Sequence, residues 1–451
     1  MNPLIFREYD IRGIVDKDLT DDVVEKIGMA CGTYMRRKNK TNINVGGDCR
    51  LSTERFRKAL IKGLKSTGCN VTTLGVTTTP ILYFSLFHLK ADGGVMITGS
   101  HNPSNFNGFK VCVGTDTIHG EEIQNLRKII EAGDFESGSG SVSDYDIVTE
   151  YKKYLVSKFK IKRQMNVAID AGNGTAGEVA EPILRELGVN VIPLNCKMDG
   201  NFPVHHPDPT IPKNLEQIIE EVRKKKLDVG IAFDGDGDRI GAVNDKGEIV
   251  FGDKILILYS RDILKNKPGA TIISEVKCSK NLFSDITKHG GKAIMWKAGH
   301  SLIKAKMKET NAALAGEMSG HMFFADRYFG YDDAIYAAIR LIEILANSDE
   351  PLSVLLNDVP ETFVTPEIRT KCPDEIKFKV IDKIKEEFKG KYEFIDIDGL
   401  RVNFDDGWGL VRASNTQAVL VMRFEADSQK RLDEIKNFIE TAVQETMERI
   451  K

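Results

Sequence analysis

The chain lacks any pair of cysteines in C-x-x-C spacing. Its seven cysteines, Cys31, Cys49, Cys69, Cys112, Cys196, Cys278 and Cys372, are scattered and odd in number. A disulfide framework and a structural zinc site are thereby excluded, and a reducing cytoplasm is the expected location. Long apolar runs are missing too: a stretch such as 255–259 falls far short of the roughly 20 residues that span a bilayer. Residues 1–12 show no basic stretch followed by an apolar core, so no signal peptide is expected. Neither sign of charge is in excess, since 63 Lys plus Arg against 66 Asp plus Glu leave a formal net charge of −3. That balance speaks against nucleic-acid and anionic-membrane partners. What is present is 451 residues, 41% hydrophobic and 29% charged, ordinary for a globular chain of about three domains.

One pattern of strand, helix, turn and strand occurs three times. The first pass has a strand at 43–45, a helix over about 52–67, a Gly68 turn into a second strand, and a buried strand at 93–98. The second pass runs from a strand at 167–170 through the Gly188 turn to a strand at 229–233. The third begins at 271–275, turns at Gly290-Gly291 and ends with 312–315. Strands alternating with helices imply parallel α/β units, in which ligands sit beyond the carboxyl ends of the strands. In each pass the last strand runs into a chemically loaded loop, so three loops could share one cleft. After Pro366 the pattern changes to a helix over 376–388, short strands with turn signals at Asp398-Gly399 and Asp405-Asp406-Gly407, and a closing helix over about 427–449. The expected fold class is α/β: three similar mixed α/β domains with sheets sandwiched by helices, then an α+β domain with an antiparallel sheet, around a central cleft. The expected boundaries give 1–150, 151–252, 253–366 and 367–451.

The loop at 234–239 sets Asp234, Asp236 and Asp238 at alternate positions after an apolar strand. A strand period of two points all three to one side, and the intervening glycines let the backbone approach an ion. Such carboxylates repel one another unless a cation neutralises them. An EF-hand is excluded, because Arg239 and Asp245 stand where Gly and Glu are required. Oxygen ligands with room left for water or phosphate suit Mg²⁺ in phosphoryl transfer; a solvated acidic turn is the alternative.

The loop at 98–103 puts Ser100 beside a glycine at the end of a buried strand, a place for a nucleophile. The G-x-S-x-G elbow needs glycine where Asn102 stands, which disfavours a Ser-His-Asp hydrolase. His101 adjoins Ser100, but neighbours on a strand point to opposite faces, so His101 need not be the base for Ser100. A serine near Mg²⁺ and Lys110 could carry a phosphoryl group; a tight turn is the alternative. At 316–321, Glu317, Ser319 and His321 alternate in a manner suited to the vicinal hydroxyls of a polyol. At 412–416, Arg412, Ser414, Asn415 and Thr416 could cradle a phosphate dianion, or form a hairpin turn. Arg7, Tyr9 and Arg12 form an anion-oriented N-terminal segment, and Lys277 and His300 complete the polar loops of the third pass. Taken singly each has a structural explanation. The set points to Mg²⁺-dependent phosphoryl transfer on a sugar phosphate.

These loops resemble those of the α-D-phosphohexomutase superfamily, most of all its bacterial phosphomannomutase/phosphoglucomutase branch. The resemblance extends over essentially the whole chain, through 6–13, 98–110, 234–239, 316–321, 328–345 and 412–416. It implies that Ser100 is phosphorylated at rest and that Asp234, Asp236 and Asp238, with a phosphoserine oxygen, hold Mg²⁺. It implies a hexose 1,6-bisphosphate intermediate that turns end over end, with glucose 1,6-bisphosphate as activator. Glu317 and Ser319 would then bind sugar hydroxyls, while Arg412, Ser414, Asn415 and Thr416 hold the phosphate that is not reacting. Lys110, Arg239 and His101 would flank the transferring group, with Arg12, Lys110 and His321 as candidates for proton transfer or charge stabilisation. Lys277 and His300 would contact the ligand, and the C-terminal domain would close over the cleft. Met318 and Ala413 depart from the Gln and Pro usual in the phosphoglucosamine mutase branch, which stays as the alternative. A non-catalytic hexose bisphosphate sensor and a metal-dependent phosphatase are the others. A monomer is expected, with a dimer left open.

Overall fold

The computed structural model describes residues 1–414 and 418–450. Three of its four sheets share one strand order. In the first, Asn42–Gly47 lies between Asn70–Val76 and Gly93–Ile97, parallel to both, and Phe106–Val113 returns antiparallel beside Gly93–Ile97. In the second, Asn166–Asp170 lies between Asn190–Leu194 and Val229–Phe233, and Ile240–Asn244 returns antiparallel. In the third, Thr271–Glu275 lies between Lys292–Trp296 and Leu314–Gly316, and Met322–Phe324 returns antiparallel. The sheets are therefore mixed, where strand–helix alternation alone implied parallel units. The returning strand follows from connection length: 234–239 and 317–321 are too short for a parallel crossover, which needs a dozen residues or more. Each loaded loop is the turn between the third strand and its antiparallel neighbour.

Gly93–Ile97 and Val229–Phe233 are buried at every position, as central strands covered on both faces by helices should be. The helix Thr79–His88 is buried throughout 79–86, capped by the Thr78 hydroxyl, which accepts from the Ile81 amide. A helix apolar all round belongs inside a core. It packs there with Tyr151, Leu155, Ile183, Ile255, Tyr331 and Tyr336, in one unbroken cluster that locks the three repeats together.

The fourth sheet is antiparallel, in the order Phe363–Val364, Val419–Ala426, Gly407–Ala413, Leu400–Phe404, Glu393–Ile395, with Ile368–Lys371 also on Val419–Ala426. The helices Lys377–Phe388 and Gln429–Ile450 close its own core. A smaller apolar cluster, Val276 with Trp408 and Leu410, joins this sheet to the third repeat. Among the described residues no helix is long and apolar enough to cross a membrane.

The loops of the repeats meet. Arg239 and His321 form an isolated antiparallel bridge, and the Ile240 amide donates to the Gly320 carbonyl at 3.1 Å. The Thr79 amide donates to the Asp236 carbonyl at 2.9 Å.

Candidate active site

Ser100 has φ +51 and is buried at the end of Gly93–Ile97. A non-glycine residue in this left-handed region is uncommon and needs local support. Here the support is a buried ion pair that sequence reasoning missed. Asp48 accepts from the Thr98 hydroxyl at 2.8 Å and the Gly99 amide at 3.2 Å, and Arg50 Nε donates to it at 3.1 Å. Arg50 then donates to the carbonyls of Ser100 (2.8 Å), Asn102 (2.6 Å), Pro103 (2.5 Å) and Phe106 (2.9 Å). Gly99 is required beside it, since a Cβ there would lie 2.5 Å from the Arg50 Cζ. The available signal was the Asp-x-Arg pair directly after the strand Asn42–Gly47, the first strand of the first repeat.

The turned backbone also corrects the expectation for His101. Its Nδ1 lies 3.1 Å from Ser100 Oγ, because the two residues sit in a turn and not in a strand where neighbours alternate faces. Burial, with Arg239 and Arg12 nearby, pushes the His101 imidazole well below its usual pKa.

Ser100 Oγ also donates to Asp234 Oδ2 at 3.1 Å. Asp234, Asp236 and Asp238 converge, with carboxylate oxygens within 4.8 Å of one another and no exposed surface. They do so in a turn after Phe233, where strand alternation had been the expected reason. Gly237 at φ +74 reverses the chain, and Asp234 Oδ1 accepts the amides of Asp238 (3.0 Å) and Arg239 (3.1 Å). Lys110 Nζ pairs with Asp236 at 3.2 Å and with Asp238, and Thr79 Oγ1 donates to Asp236 at 2.5 Å.

Burial, with Asp238 and Asp236 alongside, pushes the Asp234 carboxyl well above the usual range. Burial opposes ionisation of Asp236 as well, but Lys110 and the Thr79 hydroxyl outweigh it and hold that carboxyl low. Asp236 Oδ1 and Asp238 Oδ1 are buried without a hydrogen-bond donor among the described residues. An all-oxygen donor set with orphaned buried oxygens fits a hard divalent cation.

A second group of three, Asp238, His321 and Asp332, shares Asp238 with the first. His321 Nδ1 lies 3.0 Å from Asp332 and 3.5 Å from Asp238, and its Nε2 accepts from Arg239 Nε at 3.0 Å. Asp332 is another residue that sequence reasoning missed; Lys304 approaches it at 3.4 Å.

The loop at 316–321 is ordered by itself and by a neighbour. Glu317 accepts from Ser319 Oγ at 2.9 Å and from the Gly299 amide at 2.6 Å. His300 begins the helix His300–Thr310, stacks on His321 at 5.8 Å and is buried. Burial and Lys304 push its imidazole well below the usual pKa. Tyr9 donates to the Ala298 carbonyl at 2.8 Å, and Arg12 Nη2 pairs with Asp10 at 2.5 Å. Lys277 lies 3.3 Å from Glu367 and 3.8 Å from Glu275. Arg7 is partly exposed, and its side chain makes no hydrogen bond or ion pair among the described residues. Arg412 donates from Nε to Asp398 Oδ2 at 3.0 Å, and Ser414 is buried beside Lys377, which donates to its carbonyl at 2.5 Å. Asn415 and Thr416 lie outside the described residues.

Four segments match the phosphoglucomutase/phosphomannomutase family, each to a different domain of it. Residues 3–137 match alpha/beta/alpha domain I, 149–247 domain II, 251–363 domain III and 367–442 the C-terminal domain. The chain belongs to the phosphoglucomutase/phosphomannomutase family. Its relatives in that family include a phosphomannomutase/phosphoglucomutase of Pseudomonas putida, 47% identical over 97% of this chain and 95% of that one. A phosphoglucomutase of Neisseria meningitidis is 46% identical over 98% and 96%. The crystal structure of a phosphoglucomutase/phosphomannomutase family protein from Burkholderia thailandensis superposes with a TM-score of 0.93, at 42% identity over 99% and 98% of the two chains.

Proposed function

We propose that this chain interconverts the 1-phosphates and 6-phosphates of glucose and mannose through a phosphorylated Ser100 and a hexose 1,6-bisphosphate. The observation that carries this reading is the 3.1 Å approach of the Ser100 hydroxyl to Asp234, at the edge of three buried carboxylates. Asp234, Asp236 and Asp238, with an oxygen of phosphorylated Ser100, would hold Mg²⁺, which when bound supplies positive charge to the phosphoryl oxygens.

The chain's own residues position the reaction. In the transfer, a substrate hydroxyl oxygen bonds to phosphorus as the bond from phosphorus to Ser100 Oγ breaks. The hydroxyl proton passes to a base. Of the three candidates, Lys110 has its charge favoured by Asp236 and Asp238 in spite of its burial, and Arg12 is paired with Asp10. His321 is the base we propose; to accept the proton its Nε2 would have to give up the bond from Arg239 Nε, since its Nδ1 faces Asp332. Lys110, Arg239 and His101 border the transferring group, and such charge neutralisation and alignment carry most of phosphoryl transfer. Glu317 and Ser319 would read the sugar hydroxyls, and Lys277, His300, Arg7 and Tyr9 the rest of the ligand. Arg412 and Ser414, with Asn415 and Thr416, would hold the far phosphate. Reversing the bisphosphate then returns its other phosphate to Ser100.

In this reading 1–150 carries the nucleophile, 151–252 the carboxylates, 253–366 the sugar loop and 367–451 the phosphate loop. Glucose 1,6-bisphosphate would prime Ser100. Cys31, Cys49, Cys69, Cys112, Cys196 and Cys278 form no disulfide among the described residues, which suits the cytoplasm. A monomer or dimer would suffice, since every proposed ligand comes from one chain.

The test follows phosphorus NMR of the protein with Mg²⁺, a trace of glucose 1,6-bisphosphate and the 1-phosphates of mannose, glucose and glucosamine together. Conversion of the first two to 6-phosphates, without free phosphate and lost in Ser100→Ala, is expected. Net phosphate release would make the chain a phosphatase. Preference for glucosamine 1-phosphate would move it to another branch, and binding without conversion would make it a sensor.

A further inference from the structure

Two consecutive backbone amides between the strand Lys292–Trp296 and the helix His300–Thr310 are each taken by a carboxylate. The Ala298 amide donates to Asp398 Oδ2 at 3.0 Å, and the Gly299 amide to Glu317 Oε1 at 2.6 Å. The carbonyl between them accepts from the Tyr9 hydroxyl at 2.8 Å. Gly299 sits at φ +127, and a Cβ there would lie 2.6 Å from the Tyr9 ring, so this close crossing needs glycine. One short segment thereby touches the N-terminal segment, the polyol loop and the C-terminal sheet.

Asp398 is the member of this group that the sequence marked only as part of the Asp398-Gly399 turn. Its Oδ2 accepts from the Ala298 amide and, at 3.0 Å, from Arg412 Nε. The pair is shielded, with side chains 12% and 9% exposed. A charge-assisted bond on the Nε edge fixes the plane of a guanidinium, and orientation is what bidentate recognition of phosphate requires.

The C-terminal sheet also meets the third repeat through contacts that do not involve Asp398. Trp408 and Leu410 pack on Val276, Arg401 donates to the Val276 and Cys278 carbonyls at 2.6 and 2.9 Å, and Arg423 donates to the Lys277 carbonyl. Asp398 instead ties the one arginine of the phosphate loop to a backbone amide next to the sugar loop. We propose that Asp398 is a positioning residue that orients Arg412 toward the far phosphate of the substrate when the C-terminal sheet is docked. This rests on the reading of Arg412 as a phosphate ligand.

The test is a double-mutant cycle on the full chain. Asp398→Ala is expected to raise KM for glucose 1-phosphate about tenfold, the scale of one charge-assisted hydrogen bond, with kcat within about threefold of wild type. Arg412→Ala should raise KM at least as far, and the double variant should be no worse than Arg412→Ala alone. Asp398→Asn keeps the acceptor without the charge; it should fall between wild type and Asp398→Ala, and it stands in for the alanine variant should that one not fold. Additive effects in the cycle would overturn the proposal, as would an unchanged KM. A lowered KM would also overturn it, by showing that the carboxylate competes with substrate phosphate. Calorimetric binding of glucose 1-phosphate to Ser100→Ala, with and without Asp398→Ala, separates the two readings. If wild type does not turn over, the proposed function fails, yet weaker binding to Ser100→Ala with Asp398→Ala than to Ser100→Ala alone still supports Asp398.

Discussion

Arg50 donates through Nη2 to the Ser100 carbonyl at 2.8 Å, from a guanidinium side chain with no exposed surface. Its remaining donors go to Asp48 and to three further carbonyls of the same loop, so one planar group shapes the turn that presents Ser100, the proposed nucleophile. Lysine would keep the charge but offers one point of donation, and it cannot span four carbonyls. Arg50→Lys is expected to lower kcat about 100-fold with KM within about threefold, because substrate binding groups are untouched while the nucleophile is misplaced. Steady-state kinetics decide this. An equal loss through KM would mean that Arg50 acts on substrate binding.

The case of Arg50 shows where sequence reading stops. Ser100, Asp234 and Glu317 each sit in a motif contiguous along the chain, so their chemistry could be read together with the strand that precedes it. The threefold repeat was legible for the same reason. Asp48, Asp332 and Asp398 gain meaning only from partners far off in sequence: Asp398 meets Ala298 one hundred residues away. Periodicity also misled at close range. Alternation in a strand was the expected reason for Asp234, Asp236 and Asp238 to converge, whereas a glycine-reversed turn does it. The same alternation turned His101 from Ser100, and a left-handed Ser100 brings the two within 3.1 Å.

Asp234 carries a testable electrostatic signature. Burial and its two neighbours disfavour its charge, so ionising Asp234 is unfavourable without a metal cation, even with Lys110 paired to Asp236 and Asp238. Asp234→Asn keeps an acceptor for the Asp238 and Arg239 amides. In chelator the variant is expected to melt at or above wild type while lacking mutase activity. Added Mg²⁺ should raise the wild-type melting temperature, by a stabilisation of about 2.7 kcal/mol at 100 times its dissociation constant, and should leave the variant nearly unmoved. Calorimetry with and without Mg²⁺ checks both arms, and a chelated variant that melts well below wild type would refute the repulsion argument.

Trp408 is the centre of the apolar contact between the C-terminal sheet and the third repeat. It is 1% exposed, and the Arg401 guanidinium lies 3.7 Å from its ring centroid. Trp408→Ala leaves a cavity worth about 3–5 kcal/mol. The expected result is earlier unfolding of the C-terminal sheet in hydrogen exchange, with the core of the three repeats still protected. Uniform loss of protection would show that the four sheets unfold as one unit.

Glu367 ties the start of the C-terminal sheet to Lys277 of the third repeat. Burial opposes its charge, but Lys277 and Arg369 prevail and pull its carboxyl down to about 2. A carboxylate with a depressed pKa in the folded state binds fewer protons there than when unfolded. Its stabilisation is therefore complete above the unfolded value near 4.5 and is lost as pH falls from there toward 2. With a side chain 29% exposed, the contribution is at most about 3 kcal/mol and smaller after solvent screening. Glu367→Gln is expected to melt below wild type at pH 7, with the gap closing between about pH 4.5 and pH 2. Melting temperatures measured across that range give the difference directly. A gap that stays constant with pH would mean that the side chain acts by packing and not by its charge.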